Sequence, residues 1–312
     1  MLHVAKSHLL AGLLHVASAC ALLALSAGYD GTRQLYLLRQ VWRPLANQTD
    51  CSVYKCTVAN ELGEPYAFDL AAAAAFFGFW SGCLHLYAAY SVWDVSNDAA
   101  NGDAQTQFEL RRIRFFDYAV SSSVMVACVS IVLGSPSLGQ VVTAVSAQFG
   151  VVAIFYFAQR ANSAFFGFGV ASVAYGVLWA PLFMVFMESM SGAEADPPSF
   201  VSFILIGVFF QFTSFAFLQL WLLCRPKTAY VLEESLFLCL SLSSKVLLHW
   251  VLFLAAISFN EITTEGTTAV GVEDTSQDVL GVVAGTLGGG LLLALGITYP
   301  SWYPWQPETL YG

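Results

Sequence analysis

The chain has 312 residues, of which 57% are hydrophobic and only 11% charged, and it carries a formal net charge of −9. Soluble domains hold roughly 25% charged residues, and a mean hydropathy of +0.67 leaves more apolar surface than a water-facing fold can cover, so the bulk of the chain must face lipid. The acidic balance excludes nucleic acid as a partner, since few cations are available to neutralise phosphates.

A spanning helix needs roughly 20 predominantly apolar residues, and seven runs meet that requirement: 8–28, 66–90, 110–133, 138–159, 164–188, 199–223 and 230–258. The first lacks a small-residue cleavage pattern and reads as a span, not a removable leader. Between the first two runs, residues 29–65 form a polar connection too long for a bare hairpin. Its alternating stretches QLYLLRQVW and CSVYKCTV predict a small β-ribbon. The later connections are short (GSPSL, ANS, SGAEADPPS, CRPKT) and are punctuated by Pro136, Pro197, Pro198 and Pro226. The expected fold class is therefore an all-α membrane protein, with a seven-helix bundle over residues 1–260.

Residues 261–312 form an acidic tail that contains a further apolar run, 279–297. Its Gly281, Gly285 and Gly289 have the small-xxx-small spacing of close membrane packing, which suits an eighth, C-terminal transmembrane helix. Glycine's poor helix propensity leaves open a helix lying on the interface instead. The closing SWYPWQPETLYG suits the headgroup boundary. Cys20, Cys83, Cys128, Cys224 and Cys239 fall in or beside apolar runs, where free cysteine acts as a small hydrophobe. No Cys or His spacing has the form of a zinc site, so no metal is expected.

Lys and Arg in short connections set orientation. Lys6, Arg111, Arg112, Arg114, Arg160, Arg225 and Lys227 share one side, whereas the connections after the third and fifth spans have neither residue type. The N-terminus is thus expected in the cytoplasm and the 29–65 loop outside or in a lumen. Asn47-Gln48-Thr49 has the N-glycosylation pattern, and Cys51 and Cys56 suit a disulfide. Both fall in that loop, where an oxidising compartment would place them.

Ionisable groups at mid-membrane cost roughly 2.5–3.5 kcal/mol on insertion scales and are functional by default. Lys245 lies midway along the seventh span, too far from either end to snorkel. A desolvated lysine is suited to Schiff-base chemistry with an aldehyde. Its expected partner is Asp117 in the third span, where helical spacing puts Arg114, Asp117, Ser121 and Met125 on one stripe with Ser122 alongside. Arg114, one turn toward the cytoplasm, is expected to keep Asp117 ionised. A Lys245–Asp117 bridge that only joins two helices fits these two residues equally well. Aromatic residues make up 15% of the chain, including Trp179 near Pro181 and Phe209, Phe210, Phe212, Phe215 and Phe217. They suit the walls of a polyene pocket, and they suit ordinary packing.

In the seventh span, AYVLEESLFLCLSLSSKVLLHWVLF resembles the retinal-lysine helix of the heliorhodopsins, retinal proteins of inverted membrane orientation, with Ser241 before the lysine and Trp250 after it. RIRFFDYAVSSSVM is similar to that family's counterion segment through Arg114, Asp117, Tyr118 and Ser121. AGLLHVASACALLALS and WSGCLHLYAAY resemble its histidine-bearing helices through His15, Ser81 and His85. The fifth and sixth spans and the long first loop follow the same order, so the resemblance covers roughly residues 5–258.

The resemblance implies a rhodopsin-like seven-helix bundle holding all-trans retinal on Lys245 as a protonated Schiff base. Asp117 would be the counterion, with Ser81, Ser122 and Ser241 near the imine and Met125, Trp179 and Phe212 around the chromophore. His15 and His85 would form a proton-accepting cluster on the cytoplasmic side. It further implies a homodimer in the lipid bilayer, sensing light for an unknown signalling partner through slow conformational change. Two departures concern the site: Asp117 stands where Glu is typical, and His249 where a small residue is usual. His249 is read first as a satisfied core histidine and alternatively as an extracellular-side proton acceptor. A competing function is a light-gated proton or ion conductor using Glu188, Glu233 and Glu234. A retinal-free transporter or scaffold is another. No nucleophile–base motif suggests an enzyme.

Overall fold

The structure, a computed structural model, describes residues 2–27, 34–37, 40–44, 56–60, 66–93, 104–133, 138–160, 164–191, 199–225 and 230–264. Its helices are α1 (Leu2–Ala27), α2 (Leu70–Trp93), α3 (Ala104–Val132), α4 (Leu138–Arg160), α5 (Ala164–Ser191), α6 (Ser199–Cys224) and α7 (Tyr230–Thr264). All seven are long and apolar enough to cross a membrane. The expected runs and the helices agree in number and order. They differ at the ends, because hydropathy marks the lipid-crossing part of a helix and not its polar extensions. Thus α3 starts at Ala104, ahead of the run, through the helix-favouring AQTQFELRR. In contrast, α2 starts at Leu70, because the preceding residues belong to a strand and Asp69 caps the helix. Its Oδ1 accepts the Ala72 N–H at 2.9 Å.

The connection between α1 and α2 carries two antiparallel pairs. Strand β1 (Gln34–Leu37) pairs with β4 (Tyr66–Asp69), with Gln34 opposite Asp69, and β2 (Gln40–Pro44) pairs with β3 (Cys56–Asn60), with Gln40 opposite Asn60. Asn47, Cys51 and all of residues 265–312, including the 279–297 run, lie outside the described residues.

Lipid tails are as apolar as leucine, so helices in a membrane associate through close packing and not through water exclusion. The α1–α2 contact shows this. A Cβ on Gly12 would meet Gly82 O at 3.0 Å, and one on Gly82 would meet Val16 Cγ2 at 2.7 Å. The two backbones touch at a point that only glycine permits. Helices α3 and α7 are the most enclosed, and α4, α5 and α6 present Phe157, Phe166, Val173, Met184, Phe210 and Phe217 outward. The main core gathers Ala74, Phe77, Met125, Val129, Trp179, Leu205, Leu248 and Leu252. Lys245 and Asp117 therefore sit on the two helices best shielded from lipid.

Candidate functional site

Asp117 of α3 and Lys245 of α7 are each about 2% exposed, and the Lys245 ammonium Nζ donates to Asp117 Oδ2 in a direct ion pair. Ser81 of α2 donates to the other carboxylate oxygen at 2.7 Å, so three helices meet at one carboxylate. The α3 serines next to it turn inward on their own helix. Ser121 Oγ donates to Asp117 O at 2.7 Å and Ser123 Oγ to Ala119 O at 2.6 Å, the usual way an apolar helix satisfies a hydroxyl. Ser122 back-bonds to Tyr118 O and accepts Gln148 Nε2 at 2.9 Å. It faces α4 and not the Asp117 carboxylate. Ser241, one turn before Lys245, is fully buried.

Lys245 also borders an internal cavity. Its walls are Tyr118, Ser121, Ser122 and Met125 of α3, Gln148, Val151 and Phe155 of α4, and Tyr175 of α5. The sixth and seventh helices complete it with Phe212, Phe215, Phe237 and Ser244. The Tyr118 ring centre lies 5.2 Å from Nζ, and its hydroxyl donates to Phe237 O at 3.1 Å, which fixes the ring between α3 and α7. Phe212 lines this space, whereas Trp179 does not. Trp179 stands behind the wall, edge-on to Phe212 at 5.9 Å and to Phe209 at 5.3 Å, and supports it. Being on the correct helix did not suffice, because Tyr175, one turn away, takes the inward position.

Arg114 departs from its expected role. Its guanidinium reaches Glu234 Oε2 at 2.7 Å and Glu233 Oε1 at 2.8 Å, and not Asp117. Helical side chains lean toward their helix's N-terminus, and so Arg114 reaches away from Asp117 to the first turn of α7. There Arg111 grips Glu233 at 3.1 and 2.7 Å, Tyr230 donates to Glu234 at 3.0 Å, and Arg114 lies 3.9 Å above the Phe237 ring. Removing one member of such a buried ionic group costs about 3–5 kcal/mol, because the opposing charge is left uncompensated. Glu233 and Glu234, expected as interfacial or path-lining charges, are buried, whereas Glu188 is exposed.

The histidines divide into two sets. His15 and His85 stack with ring centres 5.5 Å apart, and His8 joins them with Nδ1 3.0 Å from His85 Nδ1. His8 Nε2 in turn lies 3.4 Å from Glu234 Oε1. His249 lies apart, with Nδ1 3.2 Å from Ser18 Oγ and Nε2 against the Ala74 carbonyl. A Cβ on Gly78 would come within 2.2 Å of its ring, so the larger side chain on α7 is matched by none on α2.

Four groups in this neighbourhood were not read from the sequence: His8, Tyr230, Gln148 and the wall residues Tyr175 and Phe237. A signal existed for His8, which lies two turns before His15 on the same face of α1. Glu234, Ser241, Lys245 and His249 likewise recur at i, i+7, i+11 and i+15, one face of α7.

Seven membrane-crossing helices enclosing a lysine–carboxylate pair at the mouth of an aromatic cavity define a bundle of the rhodopsin class. The pattern of the Heliorhodopsin family matches residues 4–257, and the chain belongs to that family. It is accordingly a retinal-binding rhodopsin of the photoreceptor type and an integral membrane protein. Among curated proteins, none matches the chain.

Proposed function

We propose that this protein senses light through all-trans retinal carried on Lys245 as a protonated Schiff base, with Asp117 as its counterion. One observation carries the reading: the buried Lys245 Nζ contacts Asp117 and at the same time borders an aromatic-walled cavity. A bridge that only joined helices would need no such cavity. The residues present suit retinal, because the cavity supplies apolar and aromatic walls for a polyene while a fixed carboxylate faces the nitrogen that would hold it. Bound there, retinal supplies light absorption and photoisomerisation. The protein's part is to hold charge and protons in place. Ser81 orients the Asp117 carboxylate, Tyr118 and Met125 confine the space beside Nζ, and Gln148 ties Ser122 to the cavity wall. His15 and His85 form the group that accepts a proton on the Lys- and Arg-rich side, which the charge distribution assigns to the cytoplasm. A slow conformational change then reports to a signalling partner.

A light-gated proton conductor is the second reading. It is favoured by the succession of buried ionisable groups from Asp117 through the histidines to Glu234. Voltage clamp on cells expressing the chain with retinal separates the two. The sensor reading expects no sustained photocurrent, and a steady light-evoked current that reverses with the proton gradient would replace it with the conductor.

A further inference from the structure

His8 is a buried histidine that neither the counterion pair nor the chromophore cavity uses. It sits on the first turns of α1, about 4% exposed, between two groups that it alone touches together. On one side its Nδ1 is 3.0 Å from His85 Nδ1, and His85 is stacked on His15. On the other its Nε2 is 3.4 Å from Glu234 Oε1, long for a hydrogen bond and within reach of a small side-chain movement. A small cavity places His8, His85 and Glu234 around the same space as Asp117 and Arg114. Beyond Glu234 the charges continue through Arg114 and Glu233 to Arg111, whose side chain is 41% exposed. The groups facing His8 are thus His15 on its own helix, His85 from α2, Arg114 and Asp117 from α3, and Tyr230 and Glu234 from α7.

We propose that His8 is the proton relay between the His15–His85 pair and Glu234, and through it the basic end of the bundle. This rests on the photoreceptor reading above and extends it. The contacts select one pair of tautomers. His85 keeps its proton on Nδ1 and donates to His8 Nδ1, which leaves His85 Nε2 bare, and that atom has no partner. His8 then carries its proton on Nε2, toward Glu234. A proton released from the Lys245–Asp117 pair adds to His85 Nε2. The Nδ1 proton of His85 passes to His8 Nδ1, and the Nε2 proton of His8 passes to Glu234. One proton enters, one leaves, and both rings end neutral with their protons exchanged between nitrogens. The reverse sequence resets them.

Flash photolysis of the full-length protein loaded with all-trans retinal, with a pH-indicator dye in weakly buffered solution, tests this. Wild type is expected to give a transient dye signal. His8→Phe is expected to slow that signal by about a hundredfold, the range of a lost general acid–base step, while the dark absorption band stays where it was. Glu234→Gln should slow it likewise, with no additional loss in the double variant. Should His8→Phe fail to fold, His8→Gln offers polar contacts without a relaying imidazole and gives the same reading. If wild type is coloured but shows no dye signal, or if both His8 variants keep wild-type dye kinetics, the relay is wrong and the photoreceptor reading stands. If wild type stays colourless with retinal, the photoreceptor reading itself fails.

Discussion

Lys245→Ala is expected to yield a protein that stays colourless when supplied with all-trans retinal, whereas wild type acquires a visible absorption band. Lys245 is the amine that lies on the cavity wall, and an alanine there leaves nothing on the wall for an aldehyde to condense with. The loss should be complete, unlike the partial effects of changing the wall. Folding complicates the single variant, because Asp117 would be left as an uncompensated buried charge at a cost of about 3–5 kcal/mol. Lys245→Ala combined with Asp117→Asn removes both charges and keeps Ser81 a hydrogen-bonding partner. It should run as a folded species on size exclusion and remain colourless. Visible colour in that double variant would mean that retinal attaches elsewhere, and the central assignment would be wrong. A colourless wild type would favour a bridge that only joins α3 and α7.

Why the sequence carried the architecture so far follows from the solvent. A bilayer demands about 20 apolar residues per crossing and internal hydrogen bonding, so hydropathy alone yields seven helices in order. It also isolates Lys245 and Asp117, because ionisable residues are conspicuous against an apolar background. The same logic fails near helix ends. Glu233, Glu234 and Arg114 look like ordinary interfacial charges by position, yet they form a buried cluster, because α3 and α7 begin at the same end of the bundle and face one another. Arg114 was legible as a charged residue on the Asp117 stripe. Its partner was not, since the direction in which its side chain leans depends on the neighbouring helix. The cavity walls were still less legible. Tyr175 and Trp179 share a face of α5 and a chemistry, and only the packing against Phe209 and Phe212 decides which of them points inward. His249 was singled out as unusual, whereas its fit against Gly78 needed coordinates.

Asp117→Asn is expected to turn the retinal-loaded protein from a visible pigment into one absorbing in the near ultraviolet at neutral pH. Asp117 is the carboxylate in contact with Lys245 Nζ, and among the described residues the other carboxylates facing this region, Glu233 and Glu234, are held by Arg111 and Arg114. Removing the charge removes the attraction that favours the charged imine in a low-dielectric site. Asparagine keeps the size and a partner for Ser81, so the loss is electrostatic and not a matter of packing. Acidification should bring the visible band back, since added protons substitute for the missing attraction. Asp117→Glu should keep a visible band at neutral pH but displace its maximum, because the extra methylene changes the distance between the charges without removing either. Spectra recorded across a pH titration of the three proteins check this. If Asp117→Asn keeps the wild-type band across the whole range, then the positive charge is balanced by some other group. The contact between Asp117 and Lys245 would then be a feature of packing. If both variants lose the band alike, the site tolerates only the aspartate geometry, and the shorter side chain would itself be what fits this cavity.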